Sequence, residues 1–420
     1  MRKVIVFCLF FLLIFNFNIL HAQVLRDKIF NDNIKTIQFF NDGIDVTYPI
    51  VYLNSNTLTF QFDELNAEIK NYEFTIIHCN ADWTPSILRK MEYIDGFESD
   101  EIRDYSNSFN TYEPYVHYKF KIPNSQFRIT KTGNYILKIY ENSDTSNTVI
   151  HKRFVVANNV VSINGNAWRS SIVSKNRTHQ QVDFSIKSET INIENPSAKI
   201  WVSVMQNFDW NTIIEDVKPR YALNNTIFFD IIDQIQFPAL SEWRTLDIRS
   251  FRYLAGRVQN LQNDDEQYII QLEPDEAQGY KNYDYFKDLN GRFISRNIDN
   301  RNPENESEYA TVKFTLKSMP LEQHQKVFIY GELSNYELKP AFEMEYFPKL
   351  QQFEKEVYIK QGYYNYRYVV ADTLGNKDFE QFESNNYQTE NDYQILVYYR
   401  APGEFYDQII GFTRINTLSK

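Results

Sequence analysis

The chain has 420 residues, with 44 basic and 55 acidic side chains and a formal net charge of −11 at pH 7. An acidic chain does not neutralise a phosphate backbone, so the composition argues against nucleic-acid binding. At about 100 to 200 residues per domain, the length predicts two to four domains, each able to bury its own core.

Residues 1–22 have the pattern of a secretory signal peptide. Arg2 and Lys3 precede an apolar run at 4–15, which is shorter than the roughly 20 residues that span a bilayer. We therefore expect a cleaved leader, no membrane span and an exported, soluble mature protein. Cys79 would be its single cysteine, so we expect no intramolecular disulfide.

Period-2 alternation of apolar and polar residues is the main structural signal after the leader. Leu58, Phe60 and Phe62 share one predicted face, and the aromatic content of 16% favours pleated surfaces. The alternation recurs at 116–122, 135–140, 182–186, 200–204, 310–316 and 393–399. It predicts an all-β protein of tandem antiparallel β-sandwich domains, immunoglobulin-like or early-set-like. Each sheet is expected to have one buried and one solvent-exposed face.

Two polar stretches are the expected domain boundaries, one at 158–159 and one at 301–306. The predicted organisation is a signal peptide (1–22), an N-terminal β-sandwich domain (23–157), a middle β-rich domain (158–305), a C-terminal early-set immunoglobulin-like β-sandwich (306–400) and a C-terminal tail (401–420).

A thiol, an imidazole and a carboxylate stand close together in sequence at His78, Cys79 and Asp82. If 72–79 is a strand, His78 and Cys79 point to opposite faces and cannot act as a nucleophile and its base. We expect Cys79 to fill a small core site and Asp82 to accept hydrogen bonds in the turn before Trp83. A thiol hydrolase at Cys79, with a distant imidazole, is one alternative function.

Thr84 and Pro85 predict the start of a helix after this run. Its buried face is expected to carry Ile87, Met91 and Ile94.

Other catalytic and metal patterns do not fit the sequence. No two glycines are close enough for a phosphate-binding loop, and no two mature histidines have the spacing of a helical zinc motif. The acidic residues before Gly291 are wrongly spaced for an EF-hand loop, and Asn290–Gly291 predicts a hairpin turn with positive φ twice. The sequence therefore predicts no catalytic, cofactor or metal site.

An arginine-rich segment offers a possible surface for a partner. Arg244, Arg249, Arg252 and Arg257 surround Phe251 and Tyr253 in this segment, and the candidate contacts are Arg249, Phe251, Arg252 and Tyr253. Paired charges on an exposed strand are the simpler interpretation of this segment.

Several runs resemble the plug protein of the Bacteroidota type IX secretion system. They lie, in the expected order, at 78–86, 108–111, 179–184, 206–207, 361–366, 389–393 and 400–403. The motif residues, interpreted as structural, are His78, Cys79, Asn80, Asp82, Trp83, Pro85, His179, Gln180 and Gln181. The resemblance implies a non-enzymatic periplasmic protein that docks on the outer-membrane translocon barrel. It would close the periplasmic opening of that barrel when no cargo is engaged.

The third predicted domain is also similar to early-set immunoglobulin-like modules that bind starch and glycogen. The similar runs are 327–336, 353–360 and 362–370. Those modules stack sugars on tryptophan, and here Tyr336 stands at one such position. A periplasmic carbohydrate-binding protein is a second alternative function, and it requires Tyr336, Tyr363 and Tyr366 to line one exposed face.

Overall fold

The computed structural model describes residues 23–43, 47–191, 193–264, 266–279 and 283–418. Nearly all of their regular structure is β, which confirms the predicted all-β class of tandem β-sandwiches. The predicted signal peptide at 1–22 lies outside the described residues. Within the described ranges, no helix has the length and apolar character needed to cross a membrane.

The first group of strands forms two facing sheets. The strands are β1 (Lys28–Ile29), β2 (Ile34–Asn41), β3 (Ile50–Tyr52), β4 (Leu58–Leu65), β5 (Tyr72–Cys79), β6 (Ile94–Gly96), β7 (Asp100–Glu101), β8 (Asp104–Asn107), β9 (Tyr115–Ile122), β10 (Phe127–Ile129), β11 (Gly133–Glu141) and β12 (Thr148–Ala157), with helix α1 (Lys90–Tyr93). One of these sheets has the order β1-β12-β11-β5-β7, with β3 on β12, and the other has the order β2-β4-β9-β8. Strands β6 and β10 pair with each other in a separate two-stranded sheet. Leu58, Phe60 and Phe62 point into the first core between these sheets, as the alternation predicts.

The second group begins after a short link. Its members are β13 (Val161–Arg169), β14 (His179–Ser188), α2 (Pro196–Lys199), β15 (Ile200–Gln206), a 3-10 turn (Trp210–Thr212), β16 (Ile214–Val217), β17 (Tyr221–Leu223), β18 (Thr226–Phe229) and β19 (Gln236–Pro238). One sheet has the order β13-β14-β18-β17, with β19 on β14.

The third group also forms two sheets around one core. Its strands are β20 (Arg244–Asp247), β21 (Val258–Asn263), β22 (Tyr268–Leu272), β23 (Asp275–Glu276), β24 (Phe293–Ser295), β25 (Tyr309–Lys317), β26 (Lys326–Tyr330), β27 (Glu345–Phe347), β28 (Gln352–Lys360), β29 (Gly362–Ala371) and β30 (Lys377–Asp378), with 3-10 turns at Glu332–Ser334 and Pro340–Phe342. Strand β29 pairs with β20, β24, β26 and β30, and the other sheet has the order β21-β22-β25-β28-β27, with β23 on β25. The apolar faces enclose the third core, between Leu246 and Phe382.

The chain then returns to the second core through β31 (Asp392–Tyr399) and β32 (Gln408–Asn416). These strands complete a sheet of order β16-β15-β31-β32, in which Val202 lies opposite Val397. Residues assigned by sequence to the C-terminal domain and the tail therefore share a core with the middle domain. The boundaries at 158–159 and 301–306 stay a prediction about units that fold independently.

One face of β4 is expected to be exposed to solvent, but in the structure it is partly buried. Asp63, on the face opposite Leu58, Phe60 and Phe62, is fully buried, although the same strand already buries its apolar face in the first core. Asp63 is covered by Tyr309 and Lys360 of the third group, which hydrogen-bond to it. Packing between groups thus turns a nominally exposed sheet face into an interior one.

The prediction of a helix starting at Thr84 is wrong. Pro85 forms a β-bridge with Cys79, and the backbone N–H of Ser86 donates to the carbonyl oxygen of His78 over 2.9 Å. The segment after the turn is therefore held against the end of β5, and the helix is limited to α1. Two side chains expected on its buried face are exposed, Ile87 and Met91.

Candidate functional site

His78 is buried at the end of β5. Its Nδ1 lies 2.9 Å from the hydroxyl oxygen of Ser86, and its Nε2 lies 3.2 Å from the carbonyl oxygen of Thr132. Because a carbonyl oxygen only accepts, Nε2 carries the proton and Nδ1 accepts from Ser86. Burial lowers the pKa of His78 to about 4, so the ring is neutral at pH 7. A Cβ on Gly133 would lie 2.4 Å from Nε2, which explains a glycine there.

Cys79 packs on the other side of β5. It is fully buried in a small cluster with Trp83 and Ile136, whereas the His78 ring contacts Tyr135 of the first core. Burial raises the pKa of Cys79 to about 12, so the thiol stays protonated at neutral pH. These are the properties of a core thiol, and they do not suit the hydrolase alternative, which requires an exposed thiolate.

Hydrogen bonds within the turn and to a distant loop fix the turn after Cys79. Oδ1 of Asp82 accepts from the backbone N–H of Thr84 (3.0 Å) and from its hydroxyl (2.6 Å), which confirms the predicted side-chain turn. The backbone N–H of Asn80 donates to the carbonyl oxygen of Thr84 over 2.9 Å. The N–H of Ala81 donates to Oδ2 of Asp407 over 3.0 Å. The turn is therefore attached to the loop that precedes β32.

Trp83 joins the first and second groups of strands. The guanidinium of Arg153 lies 4.3 Å from its ring centroid, and the Trp210 ring meets it edge-on at 4.7 Å. Arg153 also donates to the carbonyl oxygen of Leu25, from Nε (3.1 Å) and from Nη2 (2.5 Å). The motif around His78 thus forms a packed corner between two cores.

Gln180 anchors the segment that leads into β31. Its Nε2 donates to the carbonyl oxygens of Tyr387 and Thr389, both at 2.7 Å. Its Oε1 accepts from the hydroxyl of Tyr393 (2.6 Å) and from Nδ2 of Asn391 (3.0 Å). All four hydrogen-bonding positions of this buried amide are used, so the side chain fixes the returning chain in place.

The neighbours of Gln180 make local contacts. Nδ1 of His179 lies 2.9 Å from the hydroxyl of Thr178, and Oε1 of Gln181 accepts from the hydroxyl of Ser171 over 2.8 Å. The two motifs of the sequence therefore hold different stretches of the C-terminal part: the run at His78 holds the loop before β32, and Gln180 holds the segment before β31.

Acidification is expected to destabilise the protein in part through His78. The folded pKa of about 4 lies below the ordinary value near 6.5, so between these values the unfolded state binds the additional proton. Stability then falls as the pH drops from 6.5 toward 4, by about 2 kcal/mol between pH 7 and pH 5. His78→Gln should lose this part of the pH dependence, which urea unfolding at both pH values measures. His324→Gln, at an exposed histidine, is the control. A pH dependence of stability in His78→Gln equal to that of the wild type would show that His78 does not cause the loss at low pH.

The arginine-rich segment follows β20 as a loop, residues 249–254. Arg249 donates to both carboxylate oxygens of Asp247 (2.9 and 2.6 Å), and Phe251 is half-buried against the third core. Arg252 and Tyr253 project outward, with a side-chain exposure of 72% for Arg252 and a residue exposure of 55% for Tyr253. The 249–254 loop therefore combines an ion pair with an exposed basic and aromatic tip.

Arg244, which the sequence grouped with this loop, is not at the surface. Its guanidinium is buried and pairs with Asp275 at 2.8 Å and with Glu383 at 2.9 Å. The alternation places it on the inner face of β20, where it meets the carboxylate of Asp275 in β23 and that of Glu383 in the loop after β30. This member of the expected surface is a core residue.

The carbohydrate alternative requires three tyrosines on one exposed face. Tyr366 is buried in the third core, where its hydroxyl donates to Asp275 over 2.8 Å. Tyr336 packs edge-on against the buried Tyr330, and the ring of Tyr363 lies under the guanidinium of Arg249. The three rings therefore do not form a stacking platform.

Buried polar contacts join the three groups of strands in pairs. Between the first and third, Oδ2 of Asp63 accepts from Lys360 and from Tyr309, each at 2.7 Å. Between the first and second, the hydroxyl of Tyr48 donates to Asp392 over 3.0 Å. Between the second and third, the hydroxyl of Tyr330 donates to Asp209 over 2.6 Å. Each contact is shielded from water and links strands that are distant in sequence.

Three carboxylates that sequence reasoning missed as a group lie beside the Asn290–Gly291 turn. Both turn residues have positive φ, 53° and 84°, as predicted, but residues 283–289 before the turn form no strand, so the turn does not connect a hairpin there. Asp288 precedes the turn, and Glu242 and Glu390 reach it from distant parts of the chain. No local spacing could have revealed this meeting, because it depends on the chain returning to the second core.

The chain is similar to known proteins both in sequence and in fold. Residues 34–158 match the family described as "Type 9 secretion system plug protein 1st domain". Among solved structures, the chain is similar to the crystal structure of a hypothetical protein from Parabacteroides merdae ATCC 43184, with 32% identity and a TM-score of 0.89. That match covers 93% of this chain and 98% of the other. Among curated proteins, none matches the chain.

The family match spans most of the first group of strands, including the corner built on His78 and Trp83. The structural match extends over all three cores, so the likeness concerns nearly the whole chain. The family and the all-β fold suggest a non-enzymatic, envelope-associated periplasmic protein with a role related to type IX secretion. The chain belongs to the type IX secretion system plug protein family.

Proposed function

We propose that the protein docks on the outer-membrane barrel of the type IX translocon from the periplasmic side. In the absence of cargo it occludes the periplasmic opening of the barrel, and it acts sterically, without catalysis or a membrane span of its own. Family membership supports the secretion role, and the architecture supports the mechanism.

The observation that carries the proposal is that buried polar contacts join the three groups of strands. A steric plug must keep its shape, because a hinge between its parts would open a path around it. Asp63, Tyr309 and Lys360 form a charged and hydrogen-bonded contact between two of the cores in which every partner is buried. Bending at this contact would expose or unpair buried charges, which is costly. These buried contacts therefore support a role as a rigid plug.

We place one contact with the barrel at the 249–254 loop. Arg and Tyr are enriched among the residues that contribute most to protein interfaces, and the exposed tip offers Arg252 and Tyr253 next to the exposed Leu254. The ion pair between Arg249 and Asp247 holds the base of the loop, so little ordering of the loop base is needed on binding.

Translocon complexes purified from a plug-deletion strain should conduct small solutes in lipid bilayers, and complexes carrying the wild-type protein should be closed. Arg252→Glu combined with Tyr253→Ser is expected to reduce co-purification with the barrel by at least about tenfold, as for loss of an interface hot spot. The matched control is Leu374→Ser on another loop, at a residue that is 86% exposed.

Two outcomes separate the parts of this proposal. Equal conductance with and without the protein, together with its absence from the purified complex, would overturn occlusion. Normal co-purification of the Arg252 and Tyr253 double variant would overturn only the placement of the contact. Thermal unfolding of each variant shows whether its fold is intact.

A further inference from the structure

One carboxylate oxygen from each of Glu242, Asp288 and Glu390 lies within 4.8 Å of the other two. Glu242 lies in the link before β20, Asp288 lies before the turn that leads to β24, and Glu390 lies just before β31. Glu242 and Asp288 are buried, while Glu390 is half-buried and gives the group access to solvent. We call these three residues the carboxylate group.

The hydrogen bonds to the carboxylate group come from neutral donors. Oε1 of Glu242 accepts from the hydroxyl of Tyr283 (2.6 Å) and from the backbone N–H of Glu390 (3.0 Å). Oδ1 of Asp288 accepts from the N–H of Asn290 over 2.7 Å. Within the described residues, no lysine or arginine forms an ion pair with any of the three carboxylates. The negative charge of the group is thus not neutralised by a contacting cation.

Crowding and burial disfavour the charged forms of these groups. Burial raises the pKa of Glu242 to about 7 and that of Asp288 to about 6. The nearby Asp392 raises the pKa of Asp288 further, against an opposing effect of Arg367. Several carboxylates held this close repel each other unless protons or a cation intervene.

Two buried oxygen atoms at the carboxylate group lack a hydrogen-bond donor. Oε2 of Glu242 and Oδ1 of Asn290 are buried without a hydrogen-bond partner among the described residues. Both side chains are more than nine-tenths buried, and the amide of Asn290 lies against Glu390, with Nδ2 3.1 Å from Oε2. Unpartnered buried oxygens are rare in folded proteins. The unpartnered Oε2 belongs to Glu242, a member of the carboxylate group, and points to a ligand that offers positive charge to oxygen.

We propose that Glu242, Asp288 and Glu390 form a binding site for a divalent cation of the calcium type. Asn290 would add its amide oxygen after the amide turns about its last side-chain bond, which exchanges the positions of Oδ1 and Nδ2. Bound in this way, the ion ties together the links before β20 and β31 and the turn before β24, where the chain passes between the second and third cores. This site is independent of the proposed docking on the translocon.

The chemistry of the ligands selects the ion. Carboxylate and amide oxygens suit Ca²⁺, which accepts six to eight oxygen ligands in flexible geometry. Mg²⁺ demands a stricter octahedron, and Zn²⁺ prefers nitrogen and sulfur ligands, which the carboxylate group does not contain.

Calorimetry and thermal unfolding of the mature full-length protein, stripped with EDTA, test the site with CaCl₂ and MgCl₂. Ca²⁺ should bind at one site per chain and raise the unfolding temperature in a saturable manner, more than Mg²⁺ does. Glu242→Gln should weaken the Ca²⁺ Kd by about tenfold or more. In EDTA the same variant should unfold at or above the wild-type temperature, because it removes a repulsive charge.

The matched control is Glu322→Gln, at an exposed carboxylate, which should leave the response to Ca²⁺ unchanged. If Glu242→Gln fails to fold, Glu390→Gln at the half-buried ligand replaces it. The proposal is overturned if wild-type protein shows neither heat nor a temperature shift at roughly 10 mM Ca²⁺, ten times the Kd of weak oxygen-ligand sites. It is also overturned if Glu242→Gln and Glu390→Gln respond to Ca²⁺ as the wild type does.

Discussion

Lys360→Met is expected to lower the free energy of unfolding by about 3–5 kcal/mol, the range found when one partner of a buried ion pair is removed. Nζ of Lys360 lies 2.7 Å from Oδ2 of Asp63, with side-chain exposures of 2% and 1%. Burial alone would raise the pKa of Asp63, but the ammonium of Lys360 and the hydrogen bond from His117 lower it. The variant leaves this carboxylate buried without its cation. Urea unfolding followed by tryptophan fluorescence measures the loss.

Two further variants define the origin of that loss. Lys313→Met breaks a pair of the same length, 2.7 Å to Glu354, but with the lysine 31% exposed, and should cost at most about 1 kcal/mol. Adding Asp63→Asn to Lys360→Met should recover part of the stability, because no unpaired charge then stays buried. A loss in Lys360→Met no larger than in Lys313→Met would show that the contact between the cores contributes little.

Arg244→Met is expected to have an effect of similar size, about 3–5 kcal/mol. Its guanidinium pairs with Asp275 at 2.8 Å and with Glu383 at 2.9 Å inside the third core. Asp275 keeps a second partner in Arg257, whereas Glu383 loses the one ion pair that it forms among the described residues. The uncompensated Glu383 carboxylate is therefore the main cause of the expected loss, which thermal or urea unfolding measures.

Arg249→Met is the matched control for Arg244. It removes an arginine that, like Arg244, makes two hydrogen bonds to carboxylate oxygens, here both on Asp247, but its side chain is 38% exposed, so the expected loss is at most about 1 kcal/mol. Arg244→Lys should recover little of the stability, since an ammonium cannot reproduce the fork that reaches both carboxylates. Equal losses at Arg244 and Arg249 would refute the importance of burial for this pair.

Local patterns predicted the strands well where one face is apolar. Leu58, Phe60 and Phe62 are buried as their alternation indicates, and His78 and Cys79 lie on opposite sides of β5. These outcomes depend on a two-residue repeat that each strand imposes on its side chains. The local signal for a helix start at Thr84 gave a wrong prediction, because it is weaker than the backbone pairing of this segment with β5.

The sequence by itself determined the all-β class, most strand faces and the exclusion of a catalytic pair at His78 and Cys79, because each depends on residues that are neighbours along the chain. Only the tertiary structure decided that Asp63 is interior, that Arg244 belongs to a core and that Glu242, Asp288 and Glu390 meet. Each of these depends on contacts between parts of the chain that are more than 100 residues apart, such as Asp63 with Lys360, Arg244 with Glu383 and Glu242 with Glu390. Such pairings are set by how cores pack on each other, which no local pattern of residues specifies.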